Sequence, residues 1–395
     1  MASLTANQRG MRWCKGTADV AKKKRKIRAD FRKNRSTRAR PQDITRQVQS
    51  DSYDEDKNVA GERISGKGDL TRKRTVIGAD VTPDDAGVSV QLDVDTSLCR
   101  AGRVLRVYGL TSDVEAEDGR IFSCATRRLL KTIATDQRHV VVSGDRVLFR
   151  PEGDGEGIIE RVEPRHGVIS RTSRGRQHVI VANVDQLVIV SSAAEPVLKP
   201  NLIDRLLVCA ERAGVQPVIC INKIDLVDAG DLQPLAGVYG QMGYQVLLVS
   251  ATTGQGIDQL RSLLSSGESV VSGQSGVGKS SLLNAIDPSL ELRVAAVSRD
   301  SQKGRHTTST AQLLPLACGG YVVDTPGVRQ FQLWDVIPTE VAGYYRDLRP
   351  YVDRCRFPDC THTHEADCAV KDAVADGRLD TRRYESYCYL FAGGD

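Results

Sequence analysis

Gly273-Gln274-Ser275-Gly276-Val277-Gly278-Lys279-Ser280 is the stretch on which the fold turns. It matches G-x-x-x-x-G-K-[ST] and stands between a short apolar run, Ser269 to Ser272, and a stretch of helical spacing from Ser281 to Ile286. Strand, glycine-rich turn and helix in that order make a phosphate cradle. The glycines let successive backbone N–H groups turn inward around phosphate oxygens, and the helix N-terminus adds positive potential. Lys279 is placed to reach the outer phosphates and the Ser280 hydroxyl to ligate Mg²⁺, with Ser281 beside it.

Upstream, Asn222-Lys223-Ile224-Asp225 follows directly on the apolar run Pro217 to Ile221. This is N-K-x-D, a guanine-reading pattern. A carboxylate at Asp225 accepts from the guanine N1–H and 2-amine; adenine has neither donor, so ATP would leave it unpaired and desolvated. Ser250-Ala251 ends the next apolar run, Gln245 to Val249, and fits the accessory base motif whose backbone N–H holds the guanine carbonyl. Thr252 stands where that motif often has Lys.

Downstream, Asp324-Thr325-Pro326-Gly327 follows Tyr321-Val322-Val323 and fits D-x-x-G. Asp324 is expected behind the water ligands of Mg²⁺, with the Gly327 N–H on the γ-phosphate. Many GTPases carry Gln next, to orient the attacking water. Here the residue is Val328, which cannot, so the catalytic group must come from elsewhere. Between the two phosphate motifs lies Lys303-Gly304-Arg305-His306-Thr307-Thr308-Ser309-Thr310. A threonine there completes the Mg²⁺ shell and senses the γ-phosphate; Thr308 is the first choice and Thr307 the second. His306 is the side chain able to position a water, with a plain surface-loop residue as its competing reading.

The motifs therefore run N-K-x-D, S-A, P-loop, switch threonine, D-x-x-G. Ordinary GTPases begin with the P-loop and end with the base motifs. The same site results when the chain is cut after D-x-x-G and the old ends are joined, which is a circular permutation.

Working outward, strands alternating with helices over 179–340 predict a doubly wound parallel sheet. Before it, residues 81–178 predict an all-β barrel of OB-fold type, with strands at 102–108, 119–124, 139–142, 145–149 and 157–162. A barrel that merely packs on the next domain is the bland alternative. Residues 341–395 form a small helical tail holding Cys355-x4-Cys360-x-His362-x5-Cys368. Three thiolates and an imidazole suit one closed structural Zn²⁺ site. His364 competes with His362, and Cys388 is expected to pack the last helix. Such an apolar-poor appendage needs a staple.

The net charge of +5 conceals an asymmetry. Residues 1–50 hold 15 Lys or Arg against 3 Asp or Glu, a net of +12 that leaves −7 for the remaining 345. Residues 1–80 are therefore read as a basic, largely disordered extension suited to a phosphate backbone or acting as a solvated tail. Hydrophobic content of 40% excludes neither a core nor solubility, and no apolar run approaches the roughly 18 residues of a membrane span. The N-terminus lacks a signal-peptide core, so a cytoplasmic protein without membrane contact is expected.

Together, the permuted order, the barrel before it and the Cys/His knuckle after it resemble one family, the small-subunit-dependent ribosome-assembly GTPases of the RsgA (YjeQ) type. The phrases GQSGVGKSSLLN, GRHTT, DTPGVRQF and DCTHTHEADCAV carry the resemblance over about residues 100–390. It implies a three-domain protein that binds the small ribosomal subunit and its rRNA late in maturation and hydrolyses GTP to GDP with stimulation by the subunit; a monomer is expected besides. It also implies that His306 assists hydrolysis. Two alternatives stay open, a GTP-binding RNA scaffold and a GTPase acting on a non-ribosomal RNA.

Overall fold

The structure is a computed structural model describing residues 25–30, 73–84, 87–92, 94–127, 130, 140–173, 176–292, 294, 311–324 and 337–394. Three N-terminal strands, β1 (Arg25–Asp30), β2 (Lys73–Asp84) and β3 (Gly87–Leu92), pair antiparallel in a sheet of their own. β1 and most of β2 fall inside the expected extension.

A barrel follows. Its strands are β4 (Arg100–Tyr108), β5 (Thr111–Ala116), β6 (Ile121–Thr126), β7 (Arg146–Pro151) and β8 (Glu156–Val162). They pair in the order β4-β5-β6-β8-β7, β6 runs parallel to β8, and β7 closes back onto β4. Inward residues alternate along β5, β6 and β7, and Val104, Val114, Phe122, Cys124, Val147, Phe149 and Ile159 fill the interior.

Two strands differ from expectation. Thr111–Ala116, which reads as polar, is the second strand because its inward residues Ser112, Val114 and Ala116 are small enough to bury. The apolar Val140-Val141-Val142 is no strand but a buried turn. The Asp145 carboxylate accepts from the Val142 N–H at 2.8 Å and is itself clamped by Arg165 through Nε at 2.7 Å and Nη2 at 2.8 Å. A side-chain cap has taken the backbone donor that a ladder would have used.

A hairpin of β9 (Ile169–Ser173) and β10 (Arg176–Val181) leads into an α/β unit. Its strands are β11 (Gln186–Ser192), β12 (Gln216–Asn222), β13 (Gln245–Leu248), β14 (Glu268–Ser272), β15 (Gln312–Pro315) and β16 (Tyr321–Asp324), ordered β13-β12-β11-β14-β16-β15. All these pairs are parallel except β15 with β16.

Both faces of this sheet are covered, so its central strands read as unbroken apolar runs. Along β11, Leu187 and Ile189 face helices α1 (Pro200–Arg212) and α2 (Ala229–Gln241). Val188 and Val190 face α3 (Ile257–Leu264) and α4 (Lys279–Ile286). Helix α1 lays Ile203, Leu206, Leu207 and Ala210 on the sheet at helical spacing. It ends at Gly214, with the Val215 N–H returning to the Ala210 carbonyl at 3.0 Å.

The C-terminal unit carries α5 (Val341–Tyr344), α6 (Arg349–Val352), α7 (Ala369–Ala375) and α8 (Thr381–Phe391). Its core of Val341, Tyr345, Leu348, Val370, Tyr387 and Leu390 extends onto Val208 of α1, and Cys388 packs at its edge as expected. Among the described residues no helix is long and apolar enough to cross a membrane.

Candidate active site

In a parallel sheet the loops at the carboxyl ends of the strands share one rim, where ligands bind. β12, β14 and β16 deliver their motifs to that rim. β12 ends on Asn222, β14 runs into Gly273 and β16 ends on Asp324, in register with one another through β11 and β14.

The P-loop winds through positive φ at Gly273 (149°), Gly276 (83°) and Gly278 (92°). Two of these positions admit no side chain. A Cβ on Gly273 would lie 2.0 Å from the Val190 carbonyl oxygen, and one on Gly278 would lie 2.4 Å from Asn222 Nδ2. Lys279 Nζ donates to the Gly273 and Gln274 carbonyls, both at 2.8 Å, so the ammonium is held within the loop. Ser280 and Ser281 open α4, Val277 is buried beneath the loop, and Ser275 lies on its outer turn.

The guanine motif is joined to this loop directly. Asn222, 1% exposed, donates from Nδ2 to the Val277 carbonyl at 2.9 Å and accepts at Oδ1 from the Ala251 N–H at 3.2 Å. One side chain thereby ties the P-loop to both base motifs. Lys223, in the left-handed conformation at φ 63°, donates from Nζ to the Gly276 carbonyl at 2.9 Å and to the Glu195 carbonyl. Asp225 is exposed at the rim, with Oδ1 accepting from the Ser250 hydroxyl at 2.6 Å. The same hydroxyl oxygen accepts from the Thr253 N–H at 3.1 Å, which fixes its direction.

The sequence pattern misses two participants here, the carbonyls of Val277 and Glu195. Backbone acceptors carry no residue-type signal, so no pattern could have found them. Asp324 is placed as the last residue of β16. Thr307, Thr308, His306, Gly327 and Val328 lie outside the described residues.

The second cluster sits in the tail. Cys355, Cys360, His362 and Cys368 bring their ligand atoms within 4.8 Å of one another. Cys355 Sγ lies 3.8 Å from Cys368 Sγ and 3.3 Å from His362 Nδ1, which is 3.6 Å from Cys368 Sγ. Tetrahedral Zn²⁺ with about 2.3 Å to sulfur and 2.0 Å to nitrogen needs about 3.8 Å between sulfurs and 3.5 Å from sulfur to nitrogen. The donor set fits such an ion. His364 is turned away, its side chain 82% exposed.

Burial lowers the His362 imidazole below its usual range, which favours the neutral form that a metal ligand needs. Burial also pushes the Cys360 thiol up to about 12, so ionising it there calls for a cation. Glu365, held by the Thr361 N–H at 2.7 Å and the Thr363 N–H at 3.1 Å, folds the loop that carries His362.

Residues 162–334 match the family model described as RsgA GTPase. The small ribosomal subunit biogenesis GTPase RsgA of Chromohalobacter salexigens is 41% identical over 301 residues, covering 74% of this chain and 86% of that protein. The protein of the same name from Chlorobaculum parvum is 40% identical, covering 73% of this chain and 96% of its own length. Among solved structures, YjeQ from Thermotoga maritima superposes with a TM-score of 0.63 at 37% identity, covering 75% of this chain and 98% of its own. YloQ, a circularly permuted GTPase, superposes at 0.59 and 31% identity, covering 75% of this chain and 94% of its own.

Proposed function

The chain belongs to the RsgA GTPase family, and from that premise we propose that it hydrolyses GTP to GDP and phosphate on the small ribosomal subunit, late in the maturation of that particle. The observation that carries this reading is the Asn222 side chain, which joins guanine motif and P-loop into one site although the chain presents them in permuted order.

Guanine is read by Asp225, oriented through Ser250, with Ala251 beside it. The backbone of Gly273, Gln274, Ser275, Gly276, Val277 and Gly278 wraps the phosphates, and Lys279 offsets their charge. Ser280 and Thr308, with Asp324 and Gly327 behind, would hold Mg²⁺, which supplies Lewis-acid polarisation of the phosphate oxygens when bound. Thr307 and Ser281 complete the lining. Val328 cannot orient a water, so His306 is assigned that task and the chain alone is a slow enzyme.

Cys355, Cys360, His362 and Cys368 are assigned to one structural Zn²⁺, because the set leaves no open position for substrate. The strand order of the barrel and its parallel third and fifth strands support an OB-type, rRNA-binding module. The +12 segment of residues 1–50 adds electrostatic affinity for the same partner. We assign the chain to the cytoplasm as a monomer.

Phosphate release by the purified chain, with and without small subunits, tests the proposal. Strong stimulation by small but not large subunits is expected; equal rates under all three conditions would overturn it.

A further inference from the structure

His362, one of the four residues assigned to zinc, has an uncommon backbone. It lies in the left-handed region at φ 58°, which a residue with a branched ring side chain holds where its surroundings fix it. The residue is buried, and its ring turns Nδ1 to Cys355 Sγ at 3.3 Å and to Cys368 Sγ at 3.6 Å. The two distances bracket the roughly 3.5 Å that tetrahedral zinc sets between sulfur and nitrogen. Nδ1, the ring nitrogen nearer the backbone, is thus the atom aimed at the site.

Two tyrosines of α8 hold this conformation. The Tyr384 hydroxyl donates to the carbonyl of His362 itself at 2.8 Å, and the Tyr387 hydroxyl to the preceding carbonyl, that of Thr361, at 2.7 Å. Three positions apart on one helix, the two side chains leave the same face. Their rings stack with centroids 6.4 Å apart, and the Tyr387 ring also lies 6.2 Å from the His362 imidazole. The Glu365 carboxylate takes the Thr361 N–H, so both backbone polar groups of Thr361 are engaged. Lys371 Nζ on α7 donates to the Glu365 carbonyl at 2.9 Å.

Helix α8 is anchored apart from the metal ligands. Arg383, next to Tyr384, is bound to Asp347 and to Asp204 on α1, and the Tyr345 hydroxyl meets the Ser386 hydroxyl at 3.4 Å. The two tyrosine hydroxyls are therefore presented from a scaffold seated on the GTPase sheet. A loop ordered in this way before the metal arrives loses less entropy on binding it.

We propose that Tyr384 and Tyr387 are positioning residues for the metal, their hydroxyls holding His362 in the left-handed turn that presents Nδ1 to the three thiolates. Metal-bound histidines are commonly oriented through a hydrogen bond to the far ring nitrogen. Here the orientation is set through the backbone of the ligand, by a helix that supplies no ligand itself. This inference rests on the zinc assignment given above.

Tyr384→Phe, Tyr387→Phe and the double variant in the full chain test it, since each keeps the ring and loses only the hydroxyl. Zn²⁺ affinity is read by competition with a chromogenic chelator. Each single variant is expected to weaken it about threefold to tenfold, and the double variant about tenfold to a hundredfold, with GDP affinity unchanged. Long-range ¹H–¹⁵N spectra of the zinc-loaded, ¹⁵N-histidine-labelled chain should place the metal on Nδ1 of the one ring whose signals vanish in His362→Cys.

If the hydroxyls served fold stability alone, their loss would destabilise the metal-free and zinc-loaded chains alike and leave Zn²⁺ affinity at the wild-type value. That result would overturn the proposal, as would metal on Nε2. A wild-type chain that takes up no zinc would overturn the zinc assignment beneath it, and the two failures are thereby told apart.

Discussion

Arg383→Met should detach the C-terminal unit from the GTPase sheet. Arg383 lies on α8 with its side chain 4% exposed, and it donates from Nε and Nη2 to the two oxygens of Asp347, each at 3.0 Å. Nη1 donates to Asp204 on α1, whose side chain is 1% exposed and also accepts from the Tyr239 hydroxyl at 2.7 Å. The guanidinium stacks over Tyr345 at 4.4 Å. Burial already pushes the Asp204 carboxyl above its usual range in spite of the cation beside it.

Removing the guanidinium strands a carboxylate with no water to solvate it, and breaking a buried pair in this way costs about 3–5 kcal/mol. Asp347 adds less, since its side chain is 13% exposed and can hydrate. At 1.36 kcal/mol per decade, the open population of the α8 docking should rise by about two to nearly four orders of magnitude. Hydrogen exchange of the α8 amides reads this directly, because local opening sets their rate. Asp204→Asn combined with Arg383→Met removes the stranded charge and should recover much of the protection. Unchanged exchange in Arg383→Met, or a double variant no better protected than the single, would refute the reasoning.

Further outcomes follow from the same contacts. Ser250→Ala frees one oxygen of Asp225 from its 2.6 Å hydrogen bond and should weaken GDP binding about threefold to tenfold, while Asp225→Asn should shift preference toward xanthosine nucleotides in competition assays. Cys360→Ser or a strong chelator should release one equivalent of zinc, measured colorimetrically, and expose the tail to trypsin while GDP binding persists. Burial pushes Glu268, at the barrel–GTPase joint beside Arg103 at 3.0 Å, up to about 8 from an ordinary 4.5. The folded chain therefore holds that proton more tightly than the unfolded one, so its contribution is present below about pH 4.5 and is lost as pH rises toward 8. Glu268→Gln should flatten the fall of Tm across that window; an unchanged slope would show that Arg103 outweighs burial.

Much of the molecule was legible beforehand because its signals are local. A P-loop declares itself through glycines that only positive φ explains, an N-K-x-D through a carboxylate at a strand end, a metal knuckle through spacing. Parallel strands such as Val188 to Ile189 and Val218 to Ile221, buried on both faces, read as apolar runs whatever their partners. Where side-chain size or a distant partner decided, the reading failed. Thr111–Ala116 is a strand because Ser112 and Ala116 fit the barrel interior, and Val140–Val142 is a turn because Asp145 and Arg165 claim its donor and carbonyl.

From sequence alone came the motifs that assign the chemistry: the residues proposed to read guanine, to cradle phosphate and to bind metal, and that their order is permuted. Residue type and near spacing suffice for that, since each motif is a few residues acting through their own backbone. Only the tertiary structure decided how the modules are tied together. Asn222 on Val277, Ser143 on Ala311 and Arg383 on Asp204 link residues 55, 168 and 179 positions apart. Contacts at that range exist only after the chain has closed, and no local pattern encodes them.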